Sequence, residues 1–246
     1  MKEIQSLARG LKILTILSQS AEGCGITELA ELLNIDKASA SRLAATLANY
    51  GFVEKDDATR LYRLGPTLLT LSRSMIDQYS LIEQVRPFLR SMMEQTGECA
   101  HLAVSSLGSA LYIAQEESPR TLRVNAEVGT MNPLHCTALG KILLAFDVAE
   151  LPAELPAYTQ HTITDRNTLL EHLKAVHDFG YALDMEEFDI DIRCIAVPVF
   201  NVRKQVVAAI GISGPASRLT DDVLTETIET IVAIGVELSE QNLIAV

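Results

Sequence analysis

The chain has 246 residues, with 20 Lys+Arg against 32 Asp+Glu and a formal net charge of −12; 48% of its residues are hydrophobic and 21% charged. These values exclude a disordered or collagen-like chain, and the length fits one or two domains burying roughly 70–75% of the unfolded surface without disulfide or metal staples. No apolar run approaches the ~18–20 residues of a bilayer span, and Met1 to Gln5 lack the basic start and apolar stretch of a signal peptide, so a cytoplasmic chain with no membrane partner is expected.

Residues 5–19 place Leu7, Leu11, Leu14 and Leu17 at helical spacing. A glycine-bearing loop, 21–25, precedes a short helix over 28–33, with Thr27 as its expected cap and Leu29, Leu32 and Leu33 as its apolar positions. Asn34 tolerates the left-handed conformation of a tight inter-helix turn, and Asp36 opens a third helix to about residue 49. There Leu43 and Leu47 point to the core, while Lys37, Ser41 and Arg42 fall on the opposite side. Gly51 stops that helix, and 52–55 and 61–64 form a hairpin around the turn 56–60. Three short helices followed by a hairpin make a winged helix-turn-helix. Gly65-Pro66 marks a boundary before a linker helix over 68–79 and a second helix over 81–96. Strands are then expected at 99–105, 110–115 and 122–125, helices at 138–146 and 166–179, and apolar strands at 194–200 and 206–213. A closing helix runs over 220–242 with Asp221 and Asp222 in its first turn. The fold class is α+β: a winged helix-turn-helix over 1–65, a linker helix over 66–80, and a mixed sheet covered by helices over 81–246.

Charge is unevenly placed. Residues 1–65 hold as many basic as acidic side chains, so the whole negative excess lies beyond them. An acidic body repels nucleic acid and leaves binding to a small cationic surface near one end. Cys24, Cys99, Cys136 and Cys194 are scattered without a CxxC pair, and the five histidines show no ligand spacing. Free thiols and no metal or cofactor are expected.

A recognition helix reads base edges from its first turns. Lys37, Ser39, Ser41 and Arg42 are the candidates: Arg42 for a guanine or a phosphate, Lys37 and Ser39 for positioning, with Arg9 and Arg63 flanking as phosphate ligands. The competing reading makes Lys37 and Arg42 solvated helix charges. In the second domain, the helix start after Pro133 offers backbone N–H groups and the Thr137 hydroxyl to a carboxylate.

Ile26-Thr27-Glu28-Leu29-Ala30 and Ser41-Arg42-Leu43, followed in order by Pro133 to Lys141 and Arg193 to Val199, make the chain resemble the isocitrate lyase regulator (IclR) family of bacterial transcription factors nearly end to end. The resemblance rests on Arg9 with Leu11 to Leu14, Ile26-Thr27-Glu28-Leu29-Ala30, Ser41-Arg42-Leu43, Gly51-Phe52-Val53 and Tyr62-Arg63-Leu64-Gly65. It continues through Gly97-Glu98, His101 to Val104, Pro133 to Lys141, Glu186-Glu187, Arg193 to Val199 and Ser213-Gly214-Pro215. The resemblance implies a winged helix for double-stranded DNA and a GAF-like domain that binds a small effector and assembles into a homodimer or homotetramer. It places the effector pocket at Ala138, Leu139, Asp184, Ile192, Cys194, Gly211 and Ser213. Asp184, an acceptor, would pair with hydroxyls. Small Ala138 and Gly211 would leave room, Gly211 standing where some members carry a hydroxyl residue. In the bland alternative Thr137 is a helix cap, Cys194 strand core and Asp184 a turn residue. Two departures stand out: Asp191 where the family usually has Gly, and Asp56 and Asp57 at the wing tip, unhelpful beside phosphates. One of Glu186 and Glu187 is expected to cap or salt-bridge the adjacent loop.

The function expected is a metabolite-modulated DNA-binding regulator, with repression commoner than activation. The alternatives are a sensor acting through a protein partner and a Cys-dependent enzyme built on His135-Cys136 or Cys194. No GxSxG, GxxxxGK[ST] or GxGxxG supports catalysis, and no catalytic residue is named.

Overall fold

The computed structural model describes residues 3–20, 22–78 and 80–241, with side chains outside 73–80. The expected loop start Ala21 and the expected helix ends Tyr79 and Asn242 lie outside the described residues. The chain divides into two compact units, Met1–Tyr79 and Ser80–Val246.

The first unit contains α1 (Gln5–Ser18), α2 (Ile26–Leu32), α3 (Lys37–Asn49), the hairpin β1 (Val53–Lys55) and β2 (Tyr62–Leu64), and α4 (Thr67–Gln78). Its core is small: Ile13, Leu17, Cys24, Leu29, Ala44, Val53 and Tyr62, with Leu43 and Leu47 packed at the edge. The core stripe of α1 is Gly10, Ile13 and Leu17, whereas Leu7 and Leu11 of the expected stripe are exposed. Helix α2 starts earlier than expected. Its N-cap is Gly25 without a side-chain bond, so Thr27 lies inside the first turn rather than capping it; Leu32 is exposed and Leu29 and Ala30 carry the burial. Ala40 and Ala44 are the fully buried residues of α3, and their small size brings that helix close to its neighbours.

The second unit contains α5 (Ser80–Thr96), β3 (Cys99–Ser106), β4 (Ser109–Glu116), β5 (Met131–Asn132), α6 (Ala138–Ala145), α7 (Arg166–Phe179), β6 (Ala182–Met185), β7 (Ile192–Phe200), β8 (Val206–Pro215) and α8 (Asp221–Glu240). The six strands are ordered β5-β4-β3-β8-β7-β6. The expected mixed sheet is antiparallel at every pairing among the described residues, because short turns join β3 to β4, β6 to β7 and β7 to β8 as hairpins. Helices cover both faces. Leu102, Ile195, Val197, Ile210 and Ile212 face α5 and α8; Ala103, Ala182, Ala196 and Ala209 face α6 and α7.

Residues 122–125, expected as a strand, form none: Leu122 is exposed, and its carbonyl accepts from Arg218 Nη2 at 3.0 Å instead of from a neighbouring strand. The β4 partner at that edge is Met131–Asn132. Strand β6 was not anticipated. It places Asp184 inside a strand rather than in a turn.

A buried clasp closes one end of the sheet. Glu98 is 1% exposed, and its carboxylate is gripped by Arg218 Nε and Nη2 at 2.5 and 2.6 Å and by Arg120 Nη1 at 2.9 Å. The paired fork geometry makes the Arg218 contact strong and directional.

Candidate functional site

Two places gather polar side chains beyond the needs of folding. The first is the leading edge of α3. Asn34 adopts φ 50°, the left-handed turn its position suggested, and the Asp36 carboxylate accepts the Ser39 N–H at 2.8 Å. Hydrogen bonds from the Ser39 hydroxyl and N–H hold the Asp36 carboxyl below its usual range. Lys37, Ser41 and Arg42 are exposed and Ser39 is half-buried; Arg42 Nη2 lies 3.2 Å from Ser39 Oγ as donor. These four side chains share the first turns of one helix. Arg9 is half-buried on α1, and Arg63 on β2 donates from Nε to the Glu22 carbonyl at 3.1 Å, tying the hairpin to the loop before α2. At the hairpin tip the Asp56 carboxylate accepts the Ala58 and Thr59 N–H groups, both at 2.8 Å, which lowers its pKa. Asp56 builds the turn, and Asp57 and Arg60 are exposed charges of opposite sign there.

The second place lies between α6 and the sheet. Thr137 caps α6: its hydroxyl donates to the Pro133 carbonyl at 2.7 Å and accepts the Gly140 N–H at 3.2 Å. A ligand therefore meets that hydroxyl only through its remaining lone pair. The first-turn N–H groups of Ala138 and Leu139 have no intrahelical partner by construction, and both residues are buried. Opposite them Asp184, Cys194 and Ser213 stand in register on β6, β7 and β8, facing α6. Burial pushes the Asp184 carboxyl up to about 7, even though its Oδ1 accepts the Glu187 N–H at 2.8 Å. The Cys194 thiol is pushed well up by desolvation and by the Asp184 charge beside it. Ile192 begins the same strand, half-buried and paired with Pro215.

Gly211 corrects an expectation. It sits two residues from Ser213 between Ala196 and His101, but it leaves no room: a Cβ there would overlap the Ile195 carbonyl and lie 2.7 Å from Ala196 Cα. The neighbouring backbone fills the space that a side chain would need.

Several polar residues of this region went unnamed as ligand contacts. Lys141, fully buried on α6, donates to Glu187 Oε1 at 2.5 Å and lies 3.2 Å from His172 Nε2. Burial, then the Lys141 charge, pushes the His172 imidazole down to about 4. Glu186, its neighbour in the acidic pair, accepts the Asp191 N–H at 3.1 Å and lies 3.7 Å from Arg193, while Asp191 takes the left-handed conformation at φ 64°. So Glu186 braces the loop and Glu187 neutralises a buried lysine. The helical repeat of α6 and the Glu-Glu pair carried this signal, but the partner choice depends on tertiary packing. His101 on β3, also missed, is fully buried.

The thiols are poorly suited to nucleophilic chemistry. Burial and the Asp184 and Glu187 charges push Cys136 up to about 12, whereas a reactive cysteine needs a lowered pKa. His135 Nε2 lies 3.0 Å from the Pro156 carbonyl. Among the described residues no group of three His, Cys, Asp or Glu side chains could hold a metal ion, and no helix is long and apolar enough to cross a membrane.

Comparison with known proteins settles the relationship. Residues 6–57 match the IclR helix-turn-helix domain and residues 73–240 match the bacterial transcriptional regulator IclR C-terminal domain. The chain belongs to the IclR family. The HTH-type transcriptional regulator BhcR of Paracoccus denitrificans is 35% identical over 242 residues, covering 96% of this chain and 86% of BhcR. The transcriptional repressor IclR of Escherichia coli is 33% identical over 232 residues, covering 91% and 85%. An IclR transcriptional regulator of Silicibacter, solved as a crystal structure, is 28% identical with a TM-score of 0.84 over 98% of this chain and 97% of that one. As an IclR-family member the chain is a DNA-binding transcriptional regulator, and its first unit holds the family's helix-turn-helix.

Proposed function

We propose that this regulator is a repressor whose operator affinity is set by a small carboxylate bound between α6 and the sheet. The observation that carries the reading is the pairing of an exposed polar helix edge in one unit with a buried, in-register polar row under a helix N-terminus in the other. Residues 1–65 act as the DNA-binding domain, 66–80 as linker and 81–246 as the effector and assembly domain. Lys37, Ser39, Ser41 and Arg42 enter the major groove, with Arg42 as base reader, and Arg9 and the free face of Arg63 hold phosphates. The N–H groups of Ala138 and Leu139 seat the carboxylate, while Thr137, its proton already given to the Pro133 carbonyl, caps the helix that presents them. Asp184, Cys194 and Ser213 read the remainder of the molecule, walled by Ile192 and Gly211. Two or four copies of the chain present paired recognition helices to half-sites about one helical turn apart or a multiple of it. The ligand acts by favouring one arrangement of those copies over another.

Selection of bound fragments from genomic DNA by the full chain, followed by footprinting at fixed salt, tests this. A pseudo-palindromic site overlapping a promoter, with an affinity that changes when small carboxylates are added, is the expected result. Binding without sequence preference would overturn the regulator reading. A sequence-specific footprint that no carboxylate alters would overturn the effector half.

A further inference from the structure

The α6-facing side of the sheet holds a second polar row beside the one already described. His101 on β3 is cross-strand neighbour to Gln115 on β4 and to Gly211 on β8. The register shift after Leu102 inserts Ile113 into β4, so Tyr112 and Gln115 share the α6-facing side although they are three residues apart. His101 is 0% exposed, and among the described residues neither its Nδ1 nor its Nε2 has a hydrogen-bond partner. Gln115 Oε1 is likewise buried and unpartnered, while its Nε2 donates to Asn125 Oδ1 at 2.6 Å. The Tyr112 ring meets the imidazole edge-on at 5.5 Å and holds its plane. Unpaired buried polar atoms are costly, and a ring N–H beside an amide oxygen on adjacent residues of one face is a donor and an acceptor that one ligand group can pair together.

We propose that His101 and Gln115 form the hydroxyl-reading end of the ligand site, so that the ligand is a compact carboxylic acid carrying a hydroxyl remote from its carboxylate. The inference rests on the carboxylate seat at α6 put forward above. Two residues along β8 separate Gly211, beside His101, from Ser213, a distance of about 7 Å, so the two rows can hold opposite ends of one small molecule. Burial lowers the imidazole to about 4, which keeps it neutral near pH 7 with one N–H donor and one acceptor nitrogen. A hydroxyl accepts from the His101 N–H and donates to Gln115 Oε1 at once. A ketone oxygen would leave Gln115 unsatisfied, and an ammonium would leave the His101 donor unsatisfied.

The test uses the full chain and matched acids: β-hydroxybutyrate and γ-hydroxybutyrate against butyrate, and δ-hydroxyvalerate against valerate. Affinities come from calorimetry and the ring-nitrogen signals of His101 from NMR with labelled histidine. At least one hydroxy acid is expected to bind about tenfold more tightly than its parent and to shift the His101 ring nitrogens. That preference should vanish in His101→Leu and shrink in Gln115→Met, a near-isosteric change at a half-buried position that spares the core. Equal binding of hydroxy and parent acids, or a preference that survives Gln115→Met with unshifted His101 signals, overturns the proposal and leaves the carboxylate seat standing. No binding of any acid overturns both.

Discussion

The Met1–Tyr79 unit keeps its polar residues of interest outside a thin core built on Ala40, Ala44, Ile13 and Leu29, whereas the Ser80–Val246 unit keeps them inside a thick one. Lys37, Ser41 and Arg42 touch solvent; Asp184, His101, Lys141 and Glu187 do not. An exposed reader can change without disturbing the fold, because its hydrogen bonds to water are replaced by others to water. A buried reader is also a structural element. With the roles proposed above, function and stability are separable in one unit and coupled in the other.

The contrast breaks most visibly at Glu98. Glu98→Ala removes the buried carboxylate on which the partly exposed Arg218 and Arg120 converge and is expected to cost about 3 kcal/mol in urea unfolding followed on the second unit. A loss under about 1 kcal/mol would mean that the clasp is a surface contact. Asp184→Asn comes next. The folded carboxyl titrates near 7 instead of near 4, so it holds a proton that the unfolded chain has lost, and its contribution to stability falls as pH rises between those values. His101 and His172, lowered to about 4, act in the opposite sense between about 4 and 6.5, so only the difference between Asp184→Asn and the unchanged chain isolates the group. That difference should move in favour of the variant as pH rises from 4 to 7, on the order of 3 kcal/mol, and then level off. A pH-independent difference would refute it.

On the exposed side, Arg42→Ala is expected to weaken operator binding by about 1–3 kcal/mol while Tm stays unchanged. A matching fall in Tm would erase the contrast between the units. The smallest effect belongs to the hairpin tip. Asp57→Lys should steepen the salt dependence of DNA binding by one to two phosphate contacts, roughly one to two in the slope of log affinity against log salt. An unchanged slope would show that the tip stays clear of the backbone.

Local signals explain how much was legible in the sequence. The Asn34 turn, the Asp36 cap and the Gly51 stop are encoded within four residues of where they act, and the helix-turn-helix follows from them. The α1 core stripe was harder, since leucines at helical spacing line an exposed face as well as a buried one, and only packing against α3 and β2 chose Ile13 over Leu11. Strand β6 was too short to show a period, and 122–125 had strand-like composition but its Leu122 carbonyl was claimed by a distant arginine. In the candidate ligand site, Thr137 announced itself as a cap whichever role it plays. His101 did not, because its significance lies in having Gly211 and Gln115 for neighbours across two strands.

The closed-off position at Gly211 constrains how such a regulator can diversify. Placing a hydroxyl residue there would drive an atom into the Ile195 carbonyl, so the change demands a shift of the β7 backbone at Ile195 and Ala196.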